Sequence, residues 1–200
     1  MVPRPATLAD APALAAFARR TFVATFVEEL GVPYPAADLA QHLDQAYGLE
    51  PTRRLIADPT LFVRVVDAPE GAAFEREGDS LAGYVLAGPC QLPHPEARPT
   101  QGELRRLYVA HAWHGRGYGR ALMDAAFAWL ERTFDGPIWL GVWSGNTKAQ
   151  AIYRARGFAK VGEYGYPVGA WTDQEHIFRR PAASTATAAA ARPGTCSRKE

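Results

Sequence analysis

The first quarter of the chain alternates apolar and polar positions with the period of an α-helix. Apolar side chains return every three or four positions over residues 10–26, which predicts an amphipathic helix with Asp10 as its N-cap. The same periodicity predicts helices over residues 38–47 and 51–57. A Gly- and Pro-containing segment at residues 31–35 predicts the turn between the first two helices.

Apolar runs with strand character follow these helices. Residues 61–66 and 80–88 predict two strands, and the polar, Gly-containing segment 68–79 predicts a hairpin connection between them. Residues 90–100 hold several prolines and predict a surface loop. Residues 103–109 predict a third strand, which leads into the second half of the chain.

This third strand has an irregular pattern. Leu107 and Val109 share one face, whereas strict alternation would turn Leu104 to the other face. A β-bulge would reconcile the three positions, and burial of both sheet faces without a bulge would explain them equally well. The sequence leaves both alternatives open.

The second half of the chain predicts two strand–helix units. Residues 119–134 carry two adjacent apolar stripes, which predict a broadly buried helix, and the apolar run 138–143 is typical of a central or parallel strand. Asn146 is expected to cap a helix that runs to about Arg156 and stops at Gly157. Two further strands complete the predicted elements: residues 158–162 and 175–179.

This order of elements predicts an α/β (α+β) fold with a mixed, mostly antiparallel central sheet flanked by helices. We expect one domain over residues 1–180. The remaining residues, 181–200, are rich in alanine and threonine and offer nothing large to bury, so a disordered tail is predicted.

Composition narrows the class of protein. The 200 residues are 48% hydrophobic, enough for a real core, and 22 Lys and Arg against 21 Asp and Glu give a net charge of +1. Such a balance argues against a nucleic-acid partner. The cysteines Cys90 and Cys196 are too few for a disulfide scaffold or a four-cysteine zinc site. We expect a cytoplasmic protein with no bound metal, no export signal and no membrane partner.

A glycine-rich turn joins the strand over residues 103–109 to the helix over residues 119–134. Its glycines let the backbone approach a ligand, and the first amides of the helix are free to bind an anion such as a phosphate. The spacing matches neither the P-loop nor the dinucleotide pattern. A tight turn with a purely structural role is the alternative.

A second motif lies downstream, on the helix that Asn146 caps. Together the two segments read His114-x-x-Gly117-x-Gly119 and Asn146-x-x-Ala149-x-x-x-Tyr153-x-x-x-Gly157-Phe158. This pair resembles the signature of the GNAT superfamily of acyl-CoA-dependent N-acyltransferases, nearest in look to small bacterial polyamine or protein N-acetyltransferases. One departure is His114, where the family usually has Gln or Arg. Backbone amides are expected to preserve binding, with the imidazole capping the loop.

The resemblance implies acetyl-CoA as co-substrate, lying between two splayed parallel strands. The strand backbone at residues 107–109 would pair with the pantetheine arm, and the amides of residues 115–120 would hold the pyrophosphate. The implied cofactor-binding residues are Leu107, Tyr108, Val109, His114, Gly115, Arg116, Gly117, Tyr118, Gly119, Arg120, Asn146 and Lys148.

The resemblance also implies transfer of an acetyl group to a primary amine by direct attack in a ternary complex. Tyr153 would act as general acid toward the departing thiolate, with core packing as its alternative role. Glu103 is the best candidate for a base, with an exposed strand-end carboxylate as the alternative. Cys90 has no paired histidine and is not favoured as a nucleophile.

The expected acceptor is the amine of a small molecule, a polyamine among them, or of a protein. Acidic and aromatic residues of the first helices are candidates for binding it: Glu28, Glu29, Tyr34, Asp38, Asp44 and Tyr47. The competing function is a non-catalytic acyl-CoA-binding or sensor module of the same fold. The sequence leaves a homodimer open.

Overall fold

A single mixed β-sheet organises the protein. The computed structural model describes residues 2–69 and 80–182, and within them seven strands run in the order β1-β2-β3-β4-β5-β7-β6. Neighbouring strands are antiparallel except β4 and β5, which are parallel. The strands are β1 (Arg4–Pro5), β2 (Phe62–Asp67), β3 (Leu81–Pro89), β4 (Gly102–Val109), β5 (Ile138–Trp143), β6 (Ala159–Val168) and β7 (Trp171–Arg180). The predicted fold class is confirmed.

Helices cover both faces of the sheet, as their apolar stripes require. They are α1 (Ala11–Phe22), α2 (Ala36–Tyr47), α3 (Leu49–Ala57), α4 (Tyr118–Thr133) and α5 (Thr147–Arg154). The helices α1 to α3 pack on one face, around Phe17 and Tyr84, and α4 and α5 pack on the other, around Leu122 and Phe178. A wide π-helical segment, Val23–Glu29, continues α1 beyond its predicted end.

The start of α1 differs from its prediction. Asp10 precedes the helix, but its carboxylate makes no cap bond to the helix. Instead it accepts hydrogen bonds from the Thr7 amide at 2.7 Å and from the Arg4 guanidinium at 2.8 Å. The cause is the 3₁₀ turn Leu8–Asp10, which ends on Asp10. Asp10 therefore stabilises the turn before α1 and not α1 itself.

Strand β4 contains the bulge that its irregular pattern suggested. Leu104 pairs with Ala87 and Arg106 with Leu86, so Arg105 is the extra residue. The bulge places Leu104, Leu107 and Val109 in the same core as α4. The structure thus decides between the two alternatives.

The parallel strands β4 and β5 separate soon after they meet. They pair only over Gly102–Leu104 and Ile138–Leu140 within the described residues. Beyond Leu104 the β5-facing edge of β4 has no strand partner, so its amides and carbonyls are open to a ligand. This splayed edge leads toward the glycine-rich turn.

The C-terminal strands are longer than predicted. β6 and β7 form a hairpin of two ten-residue strands, whereas the sequence patterns predicted short strands over residues 158–162 and 175–179. The pairing of β2 with β3 is antiparallel as expected, but most of the predicted connection lies at residues 70–79, outside the described residues. The predicted tail falls there too, from residue 183 onward. None of the described helices has the length and apolar character to cross a membrane.

Candidate active site

One large cavity opens where β4 and β5 splay apart. Its volume is about 1070 Å³, and it runs from the glycine-rich turn to the aromatic and acidic side chains near the π-helical segment. At one end its walls are largely backbone, and at the other they are side chains of β4, β6 and β7. These two ends are called the turn end and the strand end below.

The turn end is shaped by glycines in left-handed conformations. Gly117, at the N-cap position of α4, has φ +87° and Gly115 has φ +72°, values that other residues adopt at a cost. A side chain at either position would meet no protein atom within 4 Å, so the outer surface of the turn is open. The first amides of α4 have no carbonyl one turn earlier to bond. This geometry fits a phosphate or pyrophosphate group.

His114 bridges the turn and the end of β4. Its Nε2 lies 2.9 Å from the carbonyl oxygen of Val109, and since a carbonyl can only accept, the ring nitrogen donates. The imidazole thus bonds the loop backbone, as the capping interpretation expects, and a contact of His114 with the co-substrate stays a prediction. The Cζ of Arg116 lies 5.0 Å from the centroid of the Trp113 ring. The Tyr118 ring is buried, so only the backbone of Tyr118 is open to a ligand.

The second predicted motif lies across the cavity from this turn. Asn146 caps α5: its side-chain oxygen accepts from the Ala149 amide at 3.0 Å. That bond leaves the two amide N–H donors of Asn146 for other partners. Lys148 is exposed and lies 3.9 Å from Glu29, at the rim of the cavity.

Tyr153 lines the same cavity from α5. Its ring packs against the α4 core and meets Phe158 edge-on, with centroids 6.1 Å apart. Burial raises the pKa of Tyr153 to about 12, so the phenol keeps its proton at neutral pH. The side chain thus combines core packing with a protonated group at the cavity wall.

Glu103 lies at the closed base of the cavity, where β4 and β5 still pair. It is 7% exposed, so the alternative of an exposed strand-end carboxylate is wrong. Burial raises its pKa, and this effect is opposed by a 2.7 Å hydrogen bond from the Gln91 amide and by the charge of Arg105. Its carboxylate is accordingly held in place by a backbone bond.

Glu175, on β7, is a second carboxylate in the cavity; it is half-buried and was missed by sequence reasoning. It accepts a hydrogen bond from the Tyr164 hydroxyl at 2.7 Å. Burial raises its pKa to about 7, the ordinary range of a general base. Room for it comes from Gly141, where a Cβ would lie 2.6 Å from the Glu175 Oε2. Glu175 begins the strand predicted over residues 175–179, but no local pattern indicates that its side chain lines a cavity.

Asp173 is a third acidic residue of the strand end. It is 5% exposed and accepts hydrogen bonds from the Tyr34 hydroxyl and, at 3.0 Å, from the Trp171 indole. Tyr34 and Trp171 thereby fix the carboxylate that reaches the cavity wall.

The acidic residues expected from the first helices contribute less than predicted. Of these, Glu29 and the aromatic Tyr47 line the cavity. Asp38 instead accepts from the Ala170 amide at 3.0 Å, and Asp44 pairs with Arg19 at 2.6 Å on the surface. Strand residues, not helix residues, supply most of the negative charge.

Other chemistries find little support among the described residues. No group of three or more His, Cys, Asp or Glu side chains is arranged to hold a metal ion there. Cys90 is buried outside the cavity lining, and burial raises the pKa of its thiol to about 12. A thiol in that state is a poor nucleophile.

Comparison with known proteins relates this geometry to one family. The sequence profile described as the acetyltransferase (GNAT) family matches residues 26–158. An uncharacterized N-acetyltransferase of Lactobacillus delbrueckii subsp. lactis is 26% identical over 160 residues, covering 80% of this chain and 85% of that protein. An uncharacterized N-acetyltransferase of Mycobacterium tuberculosis is 26% identical over 173 residues, covering 86% of this chain and 98% of that protein.

Solved structures share the architecture. The PaiA N-acetyltransferase of Thermoplasma acidophilum, solved in complex with coenzyme A, superposes with a TM-score of 0.65 over 90% of this chain and 97% of its own. The sequence identity is 16%, so this likeness bears on the fold alone.

Proposed function

Because this chain belongs to the acetyltransferase (GNAT) family, we propose that it transfers the acetyl group of acetyl-CoA to a primary amine of a small molecule or a protein. Both substrates would be bound together before transfer. The proposal rests on the continuity of one cavity. Its walls contain the glycine-rich turn, the protonated Tyr153 and Glu175, whose pKa is about 7.

The turn end would hold the co-substrate. Amides of residues 115–120 would bind the pyrophosphate, since the turn is open and the helix N-terminus is positive. The unpaired edge of β4 at residues 107–109 would bond the pantetheine arm, joined by the free N–H groups of Asn146. Acetyl-CoA supplies the acetyl group as a thioester, whose C–S bond breaks while the new C–N bond forms.

The strand end would prepare the amine. An alkylamine with an ordinary pKa near 10.4 costs about 4.6 kcal/mol to deprotonate at pH 7, so a base has most value for such acceptors. In this proposal Glu175, with a pKa of about 7, passes the first proton of the ammonium to solvent and takes the second proton from nitrogen as the C–N bond forms. Glu103 lies deeper and is committed to the Gln91 amide, so we assign it the supporting role of keeping Glu175 basic through its charge.

Tyr153 would complete the transfer. Its pKa of about 12 keeps it protonated until sulfur becomes basic beside it, and it then donates its proton to that sulfur. Before the next cycle Glu175 releases its proton to water, and the Tyr153 phenolate takes up a proton from water. Atoms and charge then balance: one amide and one thiol are made from one amine and one thioester.

Two linked measurements test this function. Calorimetric titration with acetyl-CoA, with desulfo-CoA as control, should show micromolar binding. Thiol release should then depend on an added amine, in a panel that contains spermidine, a lysine-bearing peptide and amino acids such as glycine. Binding without amine-dependent release across the panel would favour the sensor alternative. No binding at all would overturn the assignment of the turn.

A further inference from the structure

The strand end of the cavity contains the guanidinium of Arg106, which is partly buried and has no carboxylate partner among the described residues. Arg106 follows the bulge in β4 and lines the cavity. Its Cζ lies 4.3 Å from the centroid of the Tyr47 ring, and its Nη1 donates to the Ala46 carbonyl at 3.0 Å. Its guanidinium also lies beside the Tyr84 hydroxyl, and among residues 2–69 and 80–182 it pairs with no carboxylate.

These contacts account for only part of what a guanidinium requires. A guanidinium carries five N–H donors, and one of them bonds Ala46. The Ala46 carbonyl belongs to the last turn of α2, so the negative end of that helix and the Tyr47 ring offset some of the cost of burial. A buried charge without a counter-ion remains expensive, which makes Arg106 a ready partner for an anion that enters the cavity.

The bulge residue beside it, Arg105, differs in having a carboxylate nearby. Arg105 donates to the Pro89 carbonyl at 2.5 Å, and its buried Nε has no hydrogen-bond partner among the described residues. Arg105 also lies in the field of Glu103. Arg106 points to a different neighbourhood, formed by the tyrosines Tyr47, Tyr84, Tyr108 and Tyr166.

Arg106, the β7 carboxylates of Glu175 and Asp173, and Tyr166 line the same cavity. Burial raises the pKa of Tyr166 to about 12, Arg106 opposes that rise, and Glu175 and Asp173 add to it. Tyr166 is therefore close enough to feel both charges. A single small molecule in the cavity can reach the cation with one group and the carboxylates with another.

We infer that Arg106 binds an anionic group of the acceptor, so that the preferred acceptor is a small amine that also carries a carboxylate, as amino acids do. The inference rests on the proposed function and specifies its substrate class. A carboxylate suits the planar fork of a guanidinium and balances its single charge. A phosphate would bring a second negative charge toward Glu175 and Asp173. A polyamine would bring a second cation toward Arg106 and is disfavoured.

Matched pairs of amines test this inference. Glycine, β-alanine and 4-aminobutanoate are each compared with the corresponding amide, which keeps the amine and removes the negative charge. For at least one pair we expect the wild-type protein to prefer the carboxylate by about tenfold or more in kcat/KM, the size of a charge-assisted hydrogen bond. Amidation also lowers the pKa of an α-amine, which would favour the amide, so this comparison is conservative.

Variants separate an anion site from a structural role. Arg106→Gln and Arg106→Met should raise the KM for the amino acid about tenfold and change the KM for its amide by no more than about twofold. The methionine variant keeps an apolar side chain against the Tyr47 ring. Arg64→Gln is the matched control. Arg64 also bonds a backbone carbonyl, Val63 at 3.0 Å, and lies over a ring, Phe62 at 4.1 Å, but it is outside the cavity lining.

Binding is measured alongside turnover, so that the two proposals fail separately. Calorimetry with each acid and amide, in the presence of coenzyme A, reads the anion site without any reaction. A carboxylate preference in binding without turnover would sink the acetyltransferase proposal and keep the anion site. Three results would overturn the anion site. These are equal turnover of acids and amides, equal losses for both in the Arg106 variants, and no preference for the acid in either binding or turnover.

Discussion

The two ends of the cavity are built in different ways. The turn end is made of consecutive residues, and its chemistry lies in backbone amides and in the positive φ of Gly115 and Gly117. The strand end is made of side chains from β4, β6 and β7, which the topology brings together from distant parts of the chain. A ligand at the turn end meets dipoles, whereas a ligand at the strand end meets buried charges.

This contrast suggests a division of labour. Backbone N–H groups can bind an anion whichever side chains the residues carry. The turn end therefore suits a co-substrate that a whole family shares. Side chains such as Glu175 and Arg106 respond to the charge and protonation of a particular molecule, so the strand end suits acceptor choice and proton transfer. Substitutions at one end should then leave the function of the other end intact.

The largest expected effect is at the strand end. Glu175→Gln removes the base and should lower kcat/KM by roughly 10²–10³, while the Kd for acetyl-CoA stays within about twofold. The measurement is amine-dependent thiol release together with calorimetry. Glu163→Gln, an exposed carboxylate on β6 that pairs with Lys160, is the control and should behave as wild type.

The pH profile shows whether the carboxylate itself matters. For an alkylamine acceptor, log kcat/KM should rise with pH at a slope of about 2 below pH 7, since both Glu175 and the amine must lose a proton, and about 1 above it. In Glu175→Gln the slope should be about 1 throughout. An unchanged break near pH 7 in that variant would assign the titration to another group.

Tyr153→Phe should have the next largest effect. Loss of the hydroxyl should reduce kcat by about 10- to 100-fold, with the KM for acetyl-CoA nearly unchanged, because the ring still packs against the α4 core. Steady-state thiol release over a range of acetyl-CoA concentrations measures both constants. A wild-type kcat in a stably folded variant would leave Tyr153 with core packing alone.

At the turn end the expected effect is smaller and falls on binding. Gly117→Ala places a Cβ on a residue at φ +87°, and re-forming that conformation around the ligand should weaken acetyl-CoA binding about 5- to 30-fold, for a cost of about 1–2 kcal/mol. Gly136→Ala is the matched control, since Gly136 has φ +86° in the turn between α4 and β5, away from the cavity. It should lower the melting temperature similarly and leave the Kd unchanged.

The smallest effect is expected at the residue that departs from the family motif. His114→Ala should change the Kd for acetyl-CoA by less than about threefold, because the imidazole bonds the Val109 carbonyl and the binding groups are backbone amides. His111→Ala, which removes the neighbouring ring 5.2 Å away, serves as control. A tenfold loss confined to His114→Ala would mean that the imidazole contacts the phosphates directly.

The sequence predicted the turn end well because its determinants are local. The glycines, the Asn146 cap and the stop at Gly157 act within one turn of themselves, and the structure reproduces each of them. The bulge in β4 was left open because pleat alternation alone cannot separate it from a strand buried on both faces. Pairing with β3 decided the matter, and pairing is a long-range property.

The strand end could not be predicted for the same reason. Glu175 and Asp173 lie in a stretch of mixed polar residues, and only antiparallel pairing of β7 with β5 and β6 brings them to the cavity. Glu103 was proposed as a base from its position at the start of β4, but its bond from the Gln91 amide is a tertiary contact with a separate loop, which the pattern could not predict. Charge in the first helices was a misleading guide, since Asp38 binds the Ala170 amide and Asp44 pairs with Arg19.

One side-by-side titration tests the division between the two ends most directly. Initial rates of thiol release are measured against acetyl-CoA concentration, at a fixed saturating amine, for wild type, Gly117→Ala and Glu175→Gln. If the two ends act separately, Gly117→Ala raises the KM for acetyl-CoA about 5- to 30-fold with little change in kcat. Glu175→Gln then lowers kcat by roughly 10²–10³ with the KM for acetyl-CoA unchanged. Equal losses of both constants in the two variants would show that the ends do not act separately and would contradict that division.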